Sequence, residues 1–208
     1  MLPFRTTCLI LSSCLLTYCT PVHKQMQRTA ADADPVKKFQ PAFGTALYNT
    51  TVDVTGNHLS GLLLVKKMPD SSIRMVFSSE MGLSFFDFEF RPGGDFKVHS
   101  IMKKMNRKAV IKTLRHDFEL VLMNRLDYST GSVRTNNGEM YFIFPQEKGY
   151  NYYVTNAGAT ELLRMERASN RKLIVEAVVK NYSNGIPDSI GISHKTFEFN
   201  IGLKRIER

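Results

Sequence analysis

The sequence has 208 residues, of which 43% are hydrophobic and 23% are charged. A chain of this length can bury one substantial hydrophobic core but hardly two. With 13 glycines and 8 prolines, it is neither collagen-like nor of low complexity. The formal net charge is +9, so the composition predicts one basic globular domain.

The first residues differ in composition from the rest of the chain. Residues 1–5 carry one positive charge, at Arg5, and residues 6–18 are uncharged and mostly apolar. A membrane-spanning helix needs about 20 consecutive apolar residues, so this stretch is too short to span a membrane. Its pattern is typical of a signal peptide for export, which we predict at residues 1–18.

All three cysteines (Cys8, Cys14 and Cys19) lie in or directly after this leader, so no disulfide framework is expected in the domain. A bacterial lipoprotein leader ends in a lipobox, a run of small residues before a cysteine whose thiol receives a diacylglycerol. Cys19 gives the better leader length and is followed by polar residues. Cys14 has smaller residues before it. Cys19 is the predicted lipid anchor and Cys14 the alternative, while an ordinary secretory leader stays open.

Residues 19–40 are polar, rich in alanine and without apolar periodicity. Such a composition is typical of a flexible tether, so the folded domain is predicted at residues 41–208. Two or more acyl chains on the anchoring cysteine would make membrane attachment effectively permanent, because each buried methylene contributes about 0.8 kcal/mol. Apart from this covalent lipid, no cofactor is predicted.

Most of the predicted domain has the pattern of β-strands. In residues 83–91 three phenylalanines alternate with charged residues, and residues 172–181 and 196–205 alternate in the same way. Short connections rich in proline, glycine and aspartate favour antiparallel neighbours. The predicted strands are residues 46–55, 58–68, 73–78, 83–91, 96–101, 140–144, 150–155, 162–168, 172–181, 189–194 and 196–205.

One segment, residues 106–125, has the period of an amphipathic helix. Its apolar positions are Val110, Ile111, Leu114, Phe118, Val121 and Leu122. The opposite face is polar, and the apolar stripe needs the sheet to cover it. About eleven strands are more than a flat open sheet usually contains, so the sheet is expected to curl. We therefore predict a mainly β (α+β) fold, in which a curved antiparallel sheet or half-barrel encloses this helix or is capped by it.

The sequence shows few signs of a catalytic or metal-binding site. The histidines show no spacing typical of metal ligands, and no cysteine lies near them in the domain. No nucleophile elbow, zinc-protease motif or phosphate-binding loop is present, so neither an enzyme nor a metal protein is predicted. The five histidines, interpreted as surface or strand-end residues, are His23, His58, His99, His116 and His194.

Basic residues cluster near the start of the predicted helix. They favour attraction to anionic lipid headgroups or to an acidic partner, and a solvated helix face explains them equally well. Nucleic acid is not expected as the partner of an exported lipoprotein. The clustered residues are Lys103, Lys104, Arg107, Lys108, Lys112 and Arg115.

Residues 59–65 (LSGLLLV), 73–77 (IRMVF) and 79–83 (SEMGL) resemble the opening of the LolB-type outer-membrane lipoprotein receptors and of the wider LolA/LolB-like superfamily. In that family a strand beginning S/N-G-x-L leads to a second strand and then to a P-L-G loop. The resemblance implies a curved antiparallel half-barrel of about eleven strands, closed by helices around an apolar cavity.

In the family the P-L-G loop presents an exposed apolar residue that helps insert lipoproteins into the membrane. The resemblance places that residue at Met81, beside Gly82 and Leu83, and Glu80 stands where the family often has proline. The chain has no tryptophan, although these receptors commonly carry at least one.

The resemblance implies a monomeric protein that is lipid-anchored at the periplasmic face of the outer membrane and binds lipid or acylated lipoproteins in its cavity. Two alternatives stay open: a non-catalytic assembly lipoprotein of the envelope that grips a protein partner, and an envelope hydrolase. If the domain has no cavity, the side chains predicted to line it pack together as a dry core. The predicted lining consists of Phe86, Phe88, Phe90, Leu114, Phe118, Phe197 and Phe199.

Overall fold

A computed structural model describes residues 26–124 and 126–206. The predicted signal peptide and both candidate anchors, Cys14 and Cys19, lie outside these residues. Within the described residues no helix is both long enough and apolar enough to cross a membrane.

The fold is one antiparallel sheet with one α-helix, α1 (Lys108–Leu122). The order across the sheet is β1-β7-β8-β9-β10-β11-β12-β13-β2-β3-β4-β5-β6, and it ends in free edges at β1 and β6. The strands are β1 (Gln27–Arg28), β2 (Thr45–Val54), β3 (Asn57–Lys67), β4 (Ile73–Ser78), β5 (Ser84–Phe90), β6 (Phe96–Ile101), β7 (Ser132–Asn136), β8 (Glu139–Gln146), β9 (Gly149–Asn156), β10 (Leu162–Ala168), β11 (Leu173–Ser183), β12 (Ile186–His194) and β13 (Phe199–Arg205).

The predicted fold class is confirmed, because the described residues form a curved, open, antiparallel sheet around one helix. The sheet has thirteen strands among the described residues, two more than predicted. The additional strands are β1, which has only two residues, and β7, in which Val133 alone is buried. Neither strand has the alternation of apolar and polar residues that reveals a half-buried strand in a sequence.

The described part of the expected tether is folded onto the domain, which corrects the boundary at residue 41. Gln27 and Arg28 pair with β7, and a 3-10 helix follows at Asp34–Phe39 with Pro35 in its first turn. Val36 is fully buried in the main core. A single apolar side chain in each short element produces no periodicity, which is why the composition alone suggested a tether.

Helix α1 lies within the residues predicted for it and ends at Leu122, because the next residue, Met123, has a left-handed φ of 51°. Its apolar residues Leu114, Phe118 and Val121 are buried against the concave face of the sheet. Burying one such side chain contributes about 1.5–3 kcal/mol. The helix therefore fills the half-barrel and joins the two halves of the sheet into one core.

The polar face of α1 is less solvated than predicted. Glu119 is buried and accepts a hydrogen bond from Arg115 Nε at 2.8 Å, and Arg115 also donates to the carbonyl of Gly94 at 3.1 Å. Curvature of the sheet brings its free edge around to this side of the helix. The part of the polar face that carries Arg115 and Glu119 is consequently a contact surface.

Candidate functional site

An apolar cavity of about 440 Å³ lies at one end of the half-barrel, next to the start of α1. Its size is within the roughly 300–1,000 Å³ of small-molecule sites. The cavity extends from a solvent-exposed rim to a floor of buried side chains. It is lined by Val52, Val54, Thr55, Asn57, Leu59, Phe77, Phe86, Lys104, Met105, Arg107, Ala109, Val110, Thr113, Leu114, Phe197 and Phe199.

Strand pairing explains why these side chains meet at one end. Phe199, early in β13, pairs with Val54 at the end of β2, and Val54 pairs with Asn57 at the start of β3. Phe77, near the end of β4, pairs with Phe86 near the start of β5. We call this end, where α1 also begins, the open end of the half-barrel.

Four of the seven predicted lining residues do line the cavity: Phe86, Leu114, Phe197 and Phe199. Phe197 is 46% exposed and forms part of the rim, stacked on Phe199 with ring centroids 5.8 Å apart. The rim is therefore aromatic as well as apolar.

The other three predicted lining residues, Phe88, Phe90 and Phe118, are not cavity residues. Phe88 stacks on Phe86 at 4.4 Å, and Phe90 meets Phe118 edge to face at 6.3 Å. They belong to the dry core between α1 and the sheet. Alternation along β5 fixes the face of the sheet on which a side chain lies, but not its depth beneath the helix.

The charged groups of the cavity lie at its rim and are positive. Lys104 and Arg107 are exposed, and the structure gives neither of them an ion pair within the described residues. No aspartate or glutamate is among the described lining residues. Arg107 is also the N-cap of α1, which has no side-chain cap and no acidic residue in its first turn, so the positive end of the helix dipole adds to this charge.

The loop between β4 and β5 projects two apolar side chains into solvent at the same end. Met81 is 94% exposed and Leu83 is 58% exposed. The loop is closed by hydrogen bonds from the Ser79 amide to the Leu83 carbonyl at 2.8 Å and from the Gly82 amide to the Ser79 carbonyl at 2.9 Å. Gly82 has a φ of 83°, a conformation that glycine adopts without strain. The backbone of the loop thus holds the Met81 side chain outward.

A buried charged cluster lies behind the cavity. Asp117 of α1 is fully buried and lies 2.8 Å from His194 Nε2 and 3.4 Å from Arg167 Nη2. The His194 ring also contacts the rings of Phe197 and Phe199, at 4.6 and 5.0 Å. Burial lowers the pKa of the Arg167 guanidinium, against the opposing effect of Asp117. The cluster connects the helix to β10 and β12 directly beside the cavity.

The sequence predicted His194 as a surface or strand-end residue. It does end β12, but it is buried, and the cluster was missed because its members are 27 to 77 positions apart. The only signal was an aspartate at a helical position next to Phe118 in the apolar stripe. His194 Nδ1 is buried without a hydrogen-bond partner among the described residues. In those residues the pair thus lacks the hydroxyl or thiol that an Asp-His-nucleophile arrangement needs.

The described residues contain no group of three or more histidine, cysteine, aspartate or glutamate side chains placed to hold a metal ion. The arrangement at the open end is suited to binding: an apolar pocket, a cationic rim and an exposed apolar loop.

No known protein family matches the sequence, and no curated protein matches it. Solved structures do resemble it in shape. A DUF1329 family protein from Desulfovibrio piger has 11% sequence identity and a TM-score of 0.44, covering 84% of this chain and 90% of its own. A domain from Vibrio parahaemolyticus, provisionally named an outer membrane lipoprotein-sorting protein domain, has 8% identity and a TM-score of 0.46 over 85% of this chain and 90% of its own.

At these values neither likeness supports a conclusion about the fold or the function of this protein. The architecture itself, an open curved antiparallel sheet around a helix with an apolar cavity at one end, agrees with the LolA/LolB-like half-barrel that the sequence resemblance implied.

Proposed function

We propose that this protein is a non-catalytic lipid-binding protein of the bacterial cell envelope, which holds an acyl chain of a lipid or of an acylated lipoprotein in the open-end cavity. The observation that carries the proposal is the cavity itself, whose floor is formed by Phe77, Phe86, Leu114 and Phe199. Each methylene moved from water into such a pocket contributes about 0.8 kcal/mol. A chain of several methylenes is enough for useful affinity.

The exposed loop supports a second part of the proposal, in which the open end faces a membrane. Met81 and Leu83 are two of the five large apolar side chains exposed among the described residues. They lie at the end of the molecule where the cavity opens and where Lys104 and Arg107 are exposed. Apolar side chains rimmed by cations suit an interface with lipid headgroups.

We further propose that Cys19, or alternatively Cys14, is acylated and anchors the protein at the periplasmic face of the outer membrane. The support is the composition of the leader and the lipobox-like residues before both cysteines. Mass spectrometry of the mature N-terminus tests this directly. A diacylglyceryl cysteine at position 19 or 14 supports the proposal, and an unmodified N-terminus contradicts it.

The cavity is tested with Val110→Trp, which places an indole from α1 into the pocket that Val110 lines. The matched control is Lys112→Trp on the exposed side of the same helix. Binding is measured with the neutral fluorophore N-phenyl-1-naphthylamine and its displacement by oleyl alcohol. We expect the wild type and Lys112→Trp to bind and Val110→Trp to lose most binding while keeping its thermal transition. Equal binding by both variants, or no binding by the wild type, contradicts the proposal.

A second candidate function, gripping a protein partner, is favoured by one observation. The sheet is open, and β6 pairs with β5 on one side only, so its other edge is able to accept an added strand. A photo-crosslinking residue at Lys97 on β6, compared with one at Lys66 on the central strand β3, tests this in cells. A specific protein adduct from position 97 alone supports it, and equal or absent adducts contradict it.

A further inference from the structure

We infer that the ligand of the open-end cavity is an acyl chain with an anionic headgroup, and that Lys104 and Arg107 hold the head. The inference rests on the proposed function and narrows it. Free fatty acids and phospholipids have such heads, whereas the acyl chains of a lipoprotein are joined to its cysteine through neutral ester, amide and thioether groups.

Apolar and polar groups are separated within the cavity. The floor is hydrocarbon and aromatic, and the polar lining groups are at or near the rim: Thr55, Asn57, Lys104, Arg107 and Thr113. An alkane would make no polar contact with these groups, and a polar solute would leave the floor in contact with water. An amphiphile oriented head outward satisfies both parts.

The charged side chains that line the cavity are positive. Two cations and no carboxylate are among the described lining residues, although the whole chain contains 19 aspartates and glutamates. Two buried or half-buried arginines elsewhere are paired, by contrast: Arg74 donates two hydrogen bonds to Asp87, and Arg164 donates two to Glu139. The unpaired cations at the rim are free to bind an anion supplied from outside.

Further cations surround the rim of the cavity. Lys103 and Lys108 are also exposed beside Lys104 and Arg107, and the first turn of α1 contains no acidic residue. The positive potential is thus spread over the approach to the cavity. Charge-assisted hydrogen bonds from lysine or arginine to carboxylate or phosphate are about twice as strong as neutral ones, so a neutral head is bound less well than an anionic one.

The experiment compares ligands that share one chain and differ only in the head: oleate, 1-oleoyl-lysophosphatidic acid and oleyl alcohol. Each displaces N-phenyl-1-naphthylamine from the full-length protein, below the concentration at which it forms micelles. The test variant is Lys104→Gln/Arg107→Gln. The matched control is Lys66→Gln/Lys67→Gln, which removes the same charge from the opposite end of β3.

We expect the wild type to bind at least one anionic ligand about tenfold or more tightly than oleyl alcohol, which corresponds to one charge-assisted contact. The test variant loses this preference and keeps its affinity for oleyl alcohol, while the control variant keeps both. Tighter binding of oleate identifies a carboxylate head, and tighter binding of the lysophosphatidic acid identifies a phosphate head.

Equal affinities for all three ligands in the wild type, or a preference that persists in the test variant, would overturn the inference while leaving the cavity function intact. Failure of all three to displace the fluorophore would overturn the proposed function as well, so the two failures are distinguishable.

Discussion

Asp117 shows how a single residue joins the helix to the sheet. Its carboxylate is fully buried between His194 of β12 and Arg167 of β10. A buried ion pair is not in itself a source of stability, because desolvation offsets the attraction between the charges. Removing one partner is costly, however, since the other charge stays buried without compensation.

Asp117→Ala is therefore expected to lower the free energy of unfolding by about 3–5 kcal/mol. The matched control is Asp53→Ala, because Asp53 also pairs with a histidine, His58, but both side chains are about half exposed. An exposed pair contributes at most about 1 kcal/mol. Urea denaturation of both variants measures the difference, and similar losses in the two would show that the buried cluster does not connect helix and sheet as described.

The carboxyl of Glu89 makes the stability of the fold depend on pH. Hydrogen bonds from Arg91, at 2.5 Å, and from His99 lower the pKa of the Glu89 carboxyl. A carboxyl with a lowered folded-state pKa stabilises the fold fully above its unfolded value, about 4.3. That stabilisation is lost as the pH falls through the folded value.

Glu89→Gln is accordingly expected to be less stable than the wild type at pH 7 and to approach it as the pH falls below about 4. Thermal denaturation between pH 7 and pH 2.5 measures the gap. Glu176→Gln is the control, because Glu176 pairs with Lys195 at an exposed site. A gap for Glu89→Gln that is constant with pH would contradict the linkage.

At the scale of the elements, the approach of β3 to the end of β4 positions the exposed loop. A Cβ atom on Gly61 would lie 2.1 Å from the carbonyl oxygen of Ser78 and 2.9 Å from the Cα of Ser79. No other residue fits there without moving the backbone that leads into the loop. By contrast, a Cβ on Gly191 of β12 would have no atom within 4 Å.

Gly61→Ala is expected to destabilise the protein by about 1–3 kcal/mol, the range for overpacking, and to displace the Ser79–Leu83 loop. Gly191→Ala is expected to be neutral or slightly stabilising, because alanine reduces the entropy of the unfolded chain. Chemical denaturation compares the two variants. Equal stabilities would mean that strands β3 and β4 separate easily at this point.

At the scale of the whole molecule, hydrophobic and charged features coincide at one end of the half-barrel. The exposed side chains of Met81 and Leu83, the aromatic rim at Phe197 and the cations at Lys104 and Arg107 all lie there. They come from β-hairpins and loops that are far apart in the chain. Antiparallel pairing brings them together, because it returns every second turn to the same end of the sheet.

With Cys14 and Cys19 replaced by serine to remove an acyl anchor, the protein is expected to bind vesicles that contain phosphatidylglycerol more tightly than vesicles of phosphatidylcholine alone. Adding Met81→Asp should weaken binding about tenfold or more, because one buried apolar side chain contributes about 1.5–3 kcal/mol. Met81→Leu should preserve it. Vesicle flotation measures both, and equal binding by the Asp and Leu variants would show that the loop does not enter the membrane.

Much of the fold was accessible from the sequence, because burial on one face leaves a period in the chain. The alternation in β5, β11 and β13 and the 3.6-residue period of α1 each reflect a choice between core and solvent. Met81 was indicated only by the resemblance of residues 79–83 to the P-L-G loop of the LolB-type receptors. The strand alternation and the helical period depend on residues close in sequence.

The candidate site depended on contacts distant in sequence. Periodicity placed Phe86 and Phe88 on the same face, but only the path of α1 across the sheet decided that Phe86 lines a cavity and Phe88 lies in a dry core. It likewise buried Asp117 against His194, 77 positions away. A period in the sequence shows which side of a strand or helix is buried. How deeply a residue is buried, and which residues it contacts, depends on how the strands and the helix pack.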